Sequence, residues 1–315
     1  MPSTAGRSTQ RVAVTGAGGF IGSHLIAALS ARGDTPVPVA RPFTQNTLSA
    51  GFHGADAVVH LAGVVSAVRR RDYFAANVDA TGVIAKAAAA ARAPMVHISS
   101  LAAAGPAPPS APRSENDEPE PITAYGESKL AGEQVVQTTP DLRWLVLRPG
   151  VVYGPGDRAL LPLLRYARLG VLPLVGDERS AYTFIYIDDA IRAILAAIDD
   201  VRSDPSACST IFVGHREPVS NRTLLNAIRA GAGSSALLVP IPRAMTRLAA
   251  TFGDLWGALT RRPATINSRR YAELYSSGFV CRVDRMRERL GVEAAVGIDE
   301  GLQRATGWYR ERGWL

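Results

Sequence analysis

The sequence predicts an α/β protein, a doubly wound parallel sheet followed by a smaller, mainly helical C-terminal region. Three observations carry this. Short uninterrupted apolar runs recur with helix-forming stretches between them, as strands covered on both faces by crossover helices require. The first of these runs, Val12-Ala13-Val14-Thr15, passes directly into a glycine-rich turn and then a helix. From about Asn221 onward the alternation gives way to helical pieces with irregular connections.

Composition narrows the class. The chain has 315 residues, 47% of them hydrophobic and 20% charged, which is ordinary for a globular protein with a substantial core. Its net charge of +7 comes from scattered arginines, and the longest basic cluster is Arg69-Arg70-Arg71. That pattern argues against nucleic acid and leaves room for an anionic substrate. Cys208 and Cys281 have no paired spacing, so neither a disulfide framework nor a zinc site is expected. A reducing compartment and a cytoplasmic location follow, with residues 1–10 as a frayed polar leader and no membrane-spanning run. No nucleophile elbow and no His/Glu metal-binding helix occurs, so hydrolase and metal chemistry find no support.

Taken in order, Gly16, Gly19 and Gly22 sit at a strand-to-helix turn before a helix over residues 23–31, in which Leu25 and Leu29 continue the apolar spacing begun by Ile21. Gly16 suits the tight turn, Gly19 the approach of backbone to a pyrophosphate, and Gly22 the packing of helix on strand. The second strand, residues 35–40, ends at Arg41. A site for NAD(H) usually carries Asp or Glu there, whereas arginine suits a 2′-phosphate, so NADP(H) is favoured over NAD(H). Residues 54–63 form another turn and buried strand, ending in Leu61-Ala62-Gly63, small enough to lie against a cofactor. His60, alone inside this apolar strand, is expected to be structural.

Residues 73–92 read as one long helix with Asn77 near its start. Pro94 precedes the strand 95–98, which terminates in Ser99-Ser100, at the strand end where open α/β sheets bind ligands. Residues 105–121 read as an exposed loop whose carboxylates, from Glu115 to Glu120, serve solvation. A helix to about residue 138 then opens with Tyr125-Gly126-Glu127-Ser128-Lys129. Positions i and i+4 share one helical face, so a phenol and an ammonium can meet in one site, and a nearby cation lowers a phenol's ordinary pKa of about 10. The chain holds only two lysines, Lys86 and Lys129, against nine tyrosines, which makes an accidental pairing uncommon.

Trp144-Leu145-Val146-Leu147 is a further buried strand, closed by Arg148-Pro149-Gly150. Beyond it come a loop at 153–157, a helix at 160–169, a strand at 183–187, and Asp188-Asp189 capping a helix over 190–198. Residues 209–213 return to the sheet as its last strand. The expected division is 1–150 with 181–215 as the dinucleotide-binding domain, and 151–180 with 216–315 as the substrate domain. The apolar stretch 236–259, broken by Pro240, Pro242, Arg243 and Arg247, admits three readings: a segment lying on a membrane, a cover for a greasy substrate, or, most plainly, a lid packed over the active site.

Together Thr15 to Gly22, the strand from Asp56 to Gly63, Asn77-Val78, Ser100, Tyr125 to Lys129, Arg148 to Gly156 and Phe184 to Asp189 resemble the extended short-chain dehydrogenase/reductase superfamily. The nearest group is the NAD-dependent epimerase/dehydratase family. The resemblance implies a Rossmann-type fold with Tyr125 as acid/base, Ser100 on the reacting oxygen, and Lys129 holding the nicotinamide ribose and lowering the tyrosine pKa. Five residues back from Gly105, the family's strand-end spacing selects Ser100 over Ser99. The cofactor would be held by Gly16, Gly19, Phe20, Ile21, Gly22, Arg41, Leu61, Ala62, Gly63, Asn77, Ser99, Pro149, Val151 and Val152 together with Tyr125 and Lys129.

Three departures refine this. No acidic residue follows Ser100, where Leu101-Ala102-Ala103 stand, which argues against dehydratase chemistry. Gly150 and Tyr182 occupy places where many nucleotide-sugar members hold Asn and Arg, with Arg179 out of register. The run from Arg41 to Asp56 is short for the family's third strand and helix. The expected function is interconversion of a secondary alcohol and a ketone by hydride transfer; a nucleotide-sugar epimerase with tightly bound NAD(P) and a non-catalytic dinucleotide-binding protein are the alternatives. A homodimer through the helices at 73–92 and 125–138 is implied. No motif names the substrate, an alcohol, ketone or sugar nucleotide.

Overall fold

The computed structural model describes residues 9–204 and 208–315. Its first half alternates β1 (Arg11–Thr15), α1 (Phe20–Ala31), β2 (Thr35–Val39), α2 (Gln45–Phe52) and β3 (Ala57–His60). A continuous helical rod follows: α3 (Arg70–Phe74) runs through a π-helical turn, Ala75–Asp79, into α4 (Ala80–Ala90). Then come β4 (Met95–Ile98), α5 (Ala124–Gln137) and β5 (Trp144–Pro149). The strand Ser209–Val213 completes a six-stranded parallel sheet in the spatial order Ser209–Val213, β5, β4, β3, β1, β2. The direction of winding reverses between β1 and β3, which opens a crevice beyond their carboxyl ends.

The buried strands sort their side chains by the two-residue period. Val12 and Val14, Ala57 and Val59, Val96 and Ile98, and Leu145 and Leu147 face a core shared with α1 and the helix Ile187–Ser203. The intervening Ala13, Val58 and Met95 face the opposite core, built with Leu48 and Phe52 of α2 and Ile84, Ala85 and Ala88 of α4. Near-continuous apolar runs are therefore what this sheet needs, since both faces are covered.

Several expectations are corrected. α1 begins at Phe20, three residues early, because Gly19 caps it and Gly22 lies inside its first turn. The helix expected over 73–92 starts at Arg70 and takes the π-helical turn around Asn77. Of the leader, residues 1–8 lie outside the described residues, while Gln10 is buried, donating its backbone N–H to Asp34 and its side-chain amide to Asp199. Glu115 is not solvated: its carboxylate accepts from the Phe212 N–H at 3.0 Å and its side chain is 7% exposed. Residues 105–121 instead bridge to Phe279 and Cys281.

The pair Asp188-Asp189 does not cap a helix from outside. The helix Ile187–Ser203 starts before it, and the two aspartates part company: Asp188 is exposed in the first turn, and Asp189 is buried. Asp189 accepts from the backbone N–H groups of Ala295 and Val296, each at 2.9 Å, and pairs with Arg192, so it ties the C-terminal chain to the sheet layer.

The segment 236–259 is also different from a closed lid. It forms the strand Leu237–Pro240, paired with Val171–Leu174, and the helix Arg243–Thr260, whose bulky apolar side chains point outward. Among the described residues no helix is long and apolar enough to cross a membrane.

Replacing Asp189 by Ala should lower the urea unfolding free energy by about 2–4 kcal/mol, because the buried Val296 N–H and the partly buried Ala295 N–H lose their acceptor. The same change at Asp188 removes only a helix-dipole interaction and should cost less than about 1 kcal/mol. Equal losses at the two positions would contradict the division of roles.

Candidate active site

The crevice beyond β1 and β3 is bounded first by the glycine turn. Gly16 has φ +76°, and a Cβ there would stand 2.7 Å from the Ala62 nitrogen. A Cβ on Gly22 would lie 2.2 Å from the Gly16 carbonyl oxygen, so the turn, the end of β3 and α1 close on one another only as glycine backbone. Gly18, by contrast, faces open space. No side chain caps the start of α1, which leaves its first N–H groups and their partial positive charge available to an anion. A pyrophosphate fits that arrangement. Phe20 and Ile21 open the helix, half-buried, and a Cβ on Gly156 would stand 3.7 Å from the Phe20 ring.

The end of β3 is held by Asn77. Its amide donates to the Val64 carbonyl (3.0 Å) and to Ser128 Oγ (2.9 Å), and its Oδ1 accepts from the Val64 N–H (2.8 Å). The π-helical turn thus carries Asn77 as a clamp between the β3 loop and α5, with its polar atoms taken by protein partners. A Cβ on Gly63 would come within 2.9 Å of Asn77 Oδ1 and 3.9 Å of Lys129 Nζ. A Cβ on Gly132 would stand 2.3 Å from the Asn77 carbonyl oxygen, so α5 presses directly on the turn.

Ser100, two residues beyond β4, caps the short turn Leu101–Ala103, accepting from the Ala102 N–H at 3.2 Å. Tyr125 stands in the first turn of α5, behind the Thr123 cap, with Ser100 near enough to its hydroxyl to favour the phenolate. One turn on, the buried Lys129 donates to the Ile98 carbonyl at 2.7 Å. Ser100, Tyr125 and Lys129 are therefore brought together at the carboxyl end of β4, beside Gly63 and Asn77.

The electrostatics differ from expectation at Tyr125. Burial raises its phenol above the ordinary value, opposed by Ser100 and by Arg269, while Glu273 and Tyr73 push it up further. Lys129 was expected to supply the lowering charge, but its ammonium is directed at Ile98. Burial brings Lys129 itself down to about 8, partly offset by Glu133. His60 is structural as expected. Thr81 gives its proton to the Asn77 carbonyl, so it accepts from His60 Nε2–H, and Nδ1 accepts from Thr15. Burial takes this ring down to about 3, so it stays neutral.

Other expected residues lie farther out. Ser99 turns its hydroxyl away, onto Glu133. Arg41 is exposed at the end of β2, its guanidinium carbon 5.8 Å from the Phe43 ring centroid. Leu61 and Ala62 follow β3 against Gly16, and Pro149, Val151 and Val152 lead from β5 into the strand Val151–Tyr153. At Gly150 a Cβ would lie 2.2 Å from the Thr183 carbonyl oxygen, which explains why no asparagine stands there.

Four residues were missed. Glu133 continues the Tyr125, Lys129 face at i+8, and it forms a buried two-point ion pair with Arg148, at 2.9 and 2.7 Å. That spacing could have revealed it. The Tyr73 ring sits 6.3 Å from Tyr125, and Arg269 donates to the Tyr73 hydroxyl and to the Val65 carbonyl. Arg269 lies 196 residues from Tyr73 along the chain, with no sequence signal.

Known proteins bear on this geometry. A family model described as "NAD dependent epimerase/dehydratase family" matches residues 12–211. The chain is similar to the ceramide reductase of Caulobacter vibrioides, at 29% identity over an alignment of 334 residues that covers 96% of each protein. It is also similar to the 2-alkyl-3-oxoalkanoate reductase of Shewanella oneidensis, at 28% identity, covering 92% of this chain and 84% of that one. Among solved structures, the UDP-N-acetylglucosamine 4-epimerase from Bacillus cereus shares the fold with a TM-score of 0.77, at 20% identity and 96% and 97% coverage.

Removing Glu133 with Ala should cost about 3–5 kcal/mol in chemical unfolding, because Arg148 is left charged, buried and unpaired; a loss under about 1 kcal/mol would contradict the buried pair. The Lys129 pKa, about 8 in the fold against 10.5 as its reference, means that the unfolded chain binds more protons between those values. Stability owed to Lys129 therefore rises with pH through that window. Measured from pH 8 to 10, the unfolding free energy of wild type relative to Lys129→Met should climb; a flat or falling difference would refute a desolvated ammonium.

Proposed function

The chain belongs to the NAD dependent epimerase/dehydratase family and is a nicotinamide-dependent oxidoreductase of the extended short-chain dehydrogenase/reductase type, and within that class we propose that it reduces the carbonyl of an apolar ketone with NADPH. The observation that carries this reading is the meeting of Ser100, Tyr125 and Lys129 just beyond β4, beside Gly63 and the glycine turn of Gly16 to Gly22. The nicotinamide supplies hydride chemistry when bound. Tyr125 delivers a proton to the carbonyl oxygen, and its upward-shifted pKa keeps the phenol protonated and ready to do so. Ser100 donates to the same oxygen. Lys129 lies one helical turn below, beside Gly63 and Asn77, where the nicotinamide ribose would rest.

Arg41, exposed at the end of β2, would pair with the 2′-phosphate of NADPH. The role of Asn77 is to position Val64 and α5 rather than to touch the cofactor. Substrate recognition falls to residues 151–180 and 216–315. An apolar ketone is favoured over a sugar nucleotide because Gly150 and Tyr182, stacked on Phe279, offer no amide or guanidinium to a diphosphate. The two full-length relatives with the names ceramide reductase and 2-alkyl-3-oxoalkanoate reductase point the same way. A homodimer through the outer faces of α4 and α5, where Val83 is exposed, and a cytoplasmic location complete the proposal.

With NADPH and a panel of long-chain ketones, Tyr125→Phe should lose about 100- to 10,000-fold in kcat/KM while binding of NADPH persists. Full activity in that variant would sink the assignment, and sugar-nucleotide turnover without net change in nicotinamide absorbance would favour an epimerase. For the cofactor, Arg41→Ala should raise the KM for NADPH about 10- to 100-fold and leave that for NADH nearly unchanged, as expected for one charge-assisted contact.

A further inference from the structure

The helix Arg243–Thr260 is built inside out. Its buried face consists of Thr246, Ala250 and Gly257, with Gly253 so close to the chain that a Cβ would meet the Ile266 carbonyl oxygen at 1.9 Å. Its bulky residues, Met245, Leu248, Phe252, Leu255, Trp256 and Leu259, are each between 56 and 75% exposed. Their spacing of 3, 4, 3, 1 and 3 residues sets all six on one stripe along the helix, a length of about 20 Å. A helix packing onto its own core would show the opposite arrangement. An open groove of about 430 Å³ runs alongside, completed by Ala264 and Ile266.

The rim of this stripe is basic. Arg261 and Arg262 follow its C-terminal end, exposed. Gly257 packs beside Val68, which brings the exposed Arg69, Arg70 and Arg71 to the same end. The acidic groups there are Asp72, beside Arg71, and Glu127, paired with Arg70, so cations stay in excess. Asp254, on the far side of the helix, faces the Ser268 N–H. The N-terminal turn carries Arg243 and Arg247. Two copies of this stripe would therefore set cation against cation in either orientation, which disfavours a second copy as its cover.

The stripe adjoins the catalytic crevice. Arg269, just beyond the groove, holds Val65 and the Tyr73 hydroxyl, and Tyr73 flanks Tyr125. We propose that the outward face of the helix Arg243–Thr260 docks into the interface of an anionic phospholipid membrane, with the arginine rim on headgroup phosphates and the catalytic crevice opening beside the lipid. An amphipathic helix bearing Trp, Phe and Leu opposite a polar face lies in the interfacial plane, and each nearby arginine strengthens attraction to anionic lipid. The docking is measured without turnover and so stands or falls separately from the ketone reductase reading.

The test uses the purified full chain in flotation with vesicles of phosphatidylcholine alone and of phosphatidylcholine with phosphatidylglycerol. Wild type should bind the anionic vesicles at least about tenfold more tightly than the neutral ones, with affinity falling as salt rises. The double variant Phe252→Asp, Trp256→Asp should lose at least about tenfold in binding while its thermal midpoint stays at the wild-type level. Arg261→Glu with Arg262→Glu should abolish the preference for anionic vesicles. Failure of wild type to float with either vesicle, or unchanged flotation of the Asp double variant, overturns the proposal. So does a wild-type oligomer that the Asp double variant converts to a smaller species, which would identify the stripe as a contact between copies.

Discussion

One face of α5 carries Tyr125, Lys129 and Glu133 at successive helical turns, and the buried ion pair from Glu133 to Arg148 fixes that face against the sheet. Arg148 sits on β5 and Ser99 immediately after β4, so Glu133 draws the ends of two strands and the helix to one point. A buried pair of this kind adds little net stability, since desolvating both ions offsets their attraction. What it does give is register: Glu133 cannot shift by a turn without stranding Arg148. Tyr125 then has only one position relative to Ser100, two turns up the same face.

The opposite wall of the crevice is held by steric closeness instead of charge. Gly16, Gly22 and Gly63 each lie where a Cβ would meet another atom at under 3 Å, two of them against backbone. Backbone approaches of this kind leave no side chain between α1 and the end of β3, so the free N–H groups of the helix face the crevice directly. Asn77 joins the two walls. By holding both the Val64 peptide and Ser128, it couples the position of the β3 loop to that of α5, at the cost of regular helical pairing, which the π-helical turn accommodates.

Much of this was legible in the sequence where chemistry is local. The glycine turn, the strand alternation, the Tyr125 and Lys129 pair and Ser100 all declare themselves through spacing within one or two elements. What was illegible depends on contacts between distant segments. Asp188 and Asp189 look alike as helix-start residues, and only the return of residues 295–296 distinguishes them. Glu115 reads as a solvated loop acid until the strand Ser209–Val213 supplies its donor. The direction of the Tyr125 shift also escaped, because local spacing places Lys129 nearby but does not reveal that its ammonium bonds elsewhere. The Arg243–Thr260 helix has an apolar period that any core helix shares; only packing shows which face is turned out.

In the proposed reaction hydride leaves a bound NADPH for a ketone while Tyr125 supplies the proton. The most direct measurement is mass spectrometry of the product formed from NADPH deuterated at the transferring nicotinamide position. The proposed hydride transfer gives an alcohol that carries the deuterium at the former carbonyl carbon, formed in step with loss of reduced cofactor. An alcohol without the label, or a converted substrate with the label still on the cofactor, would contradict it.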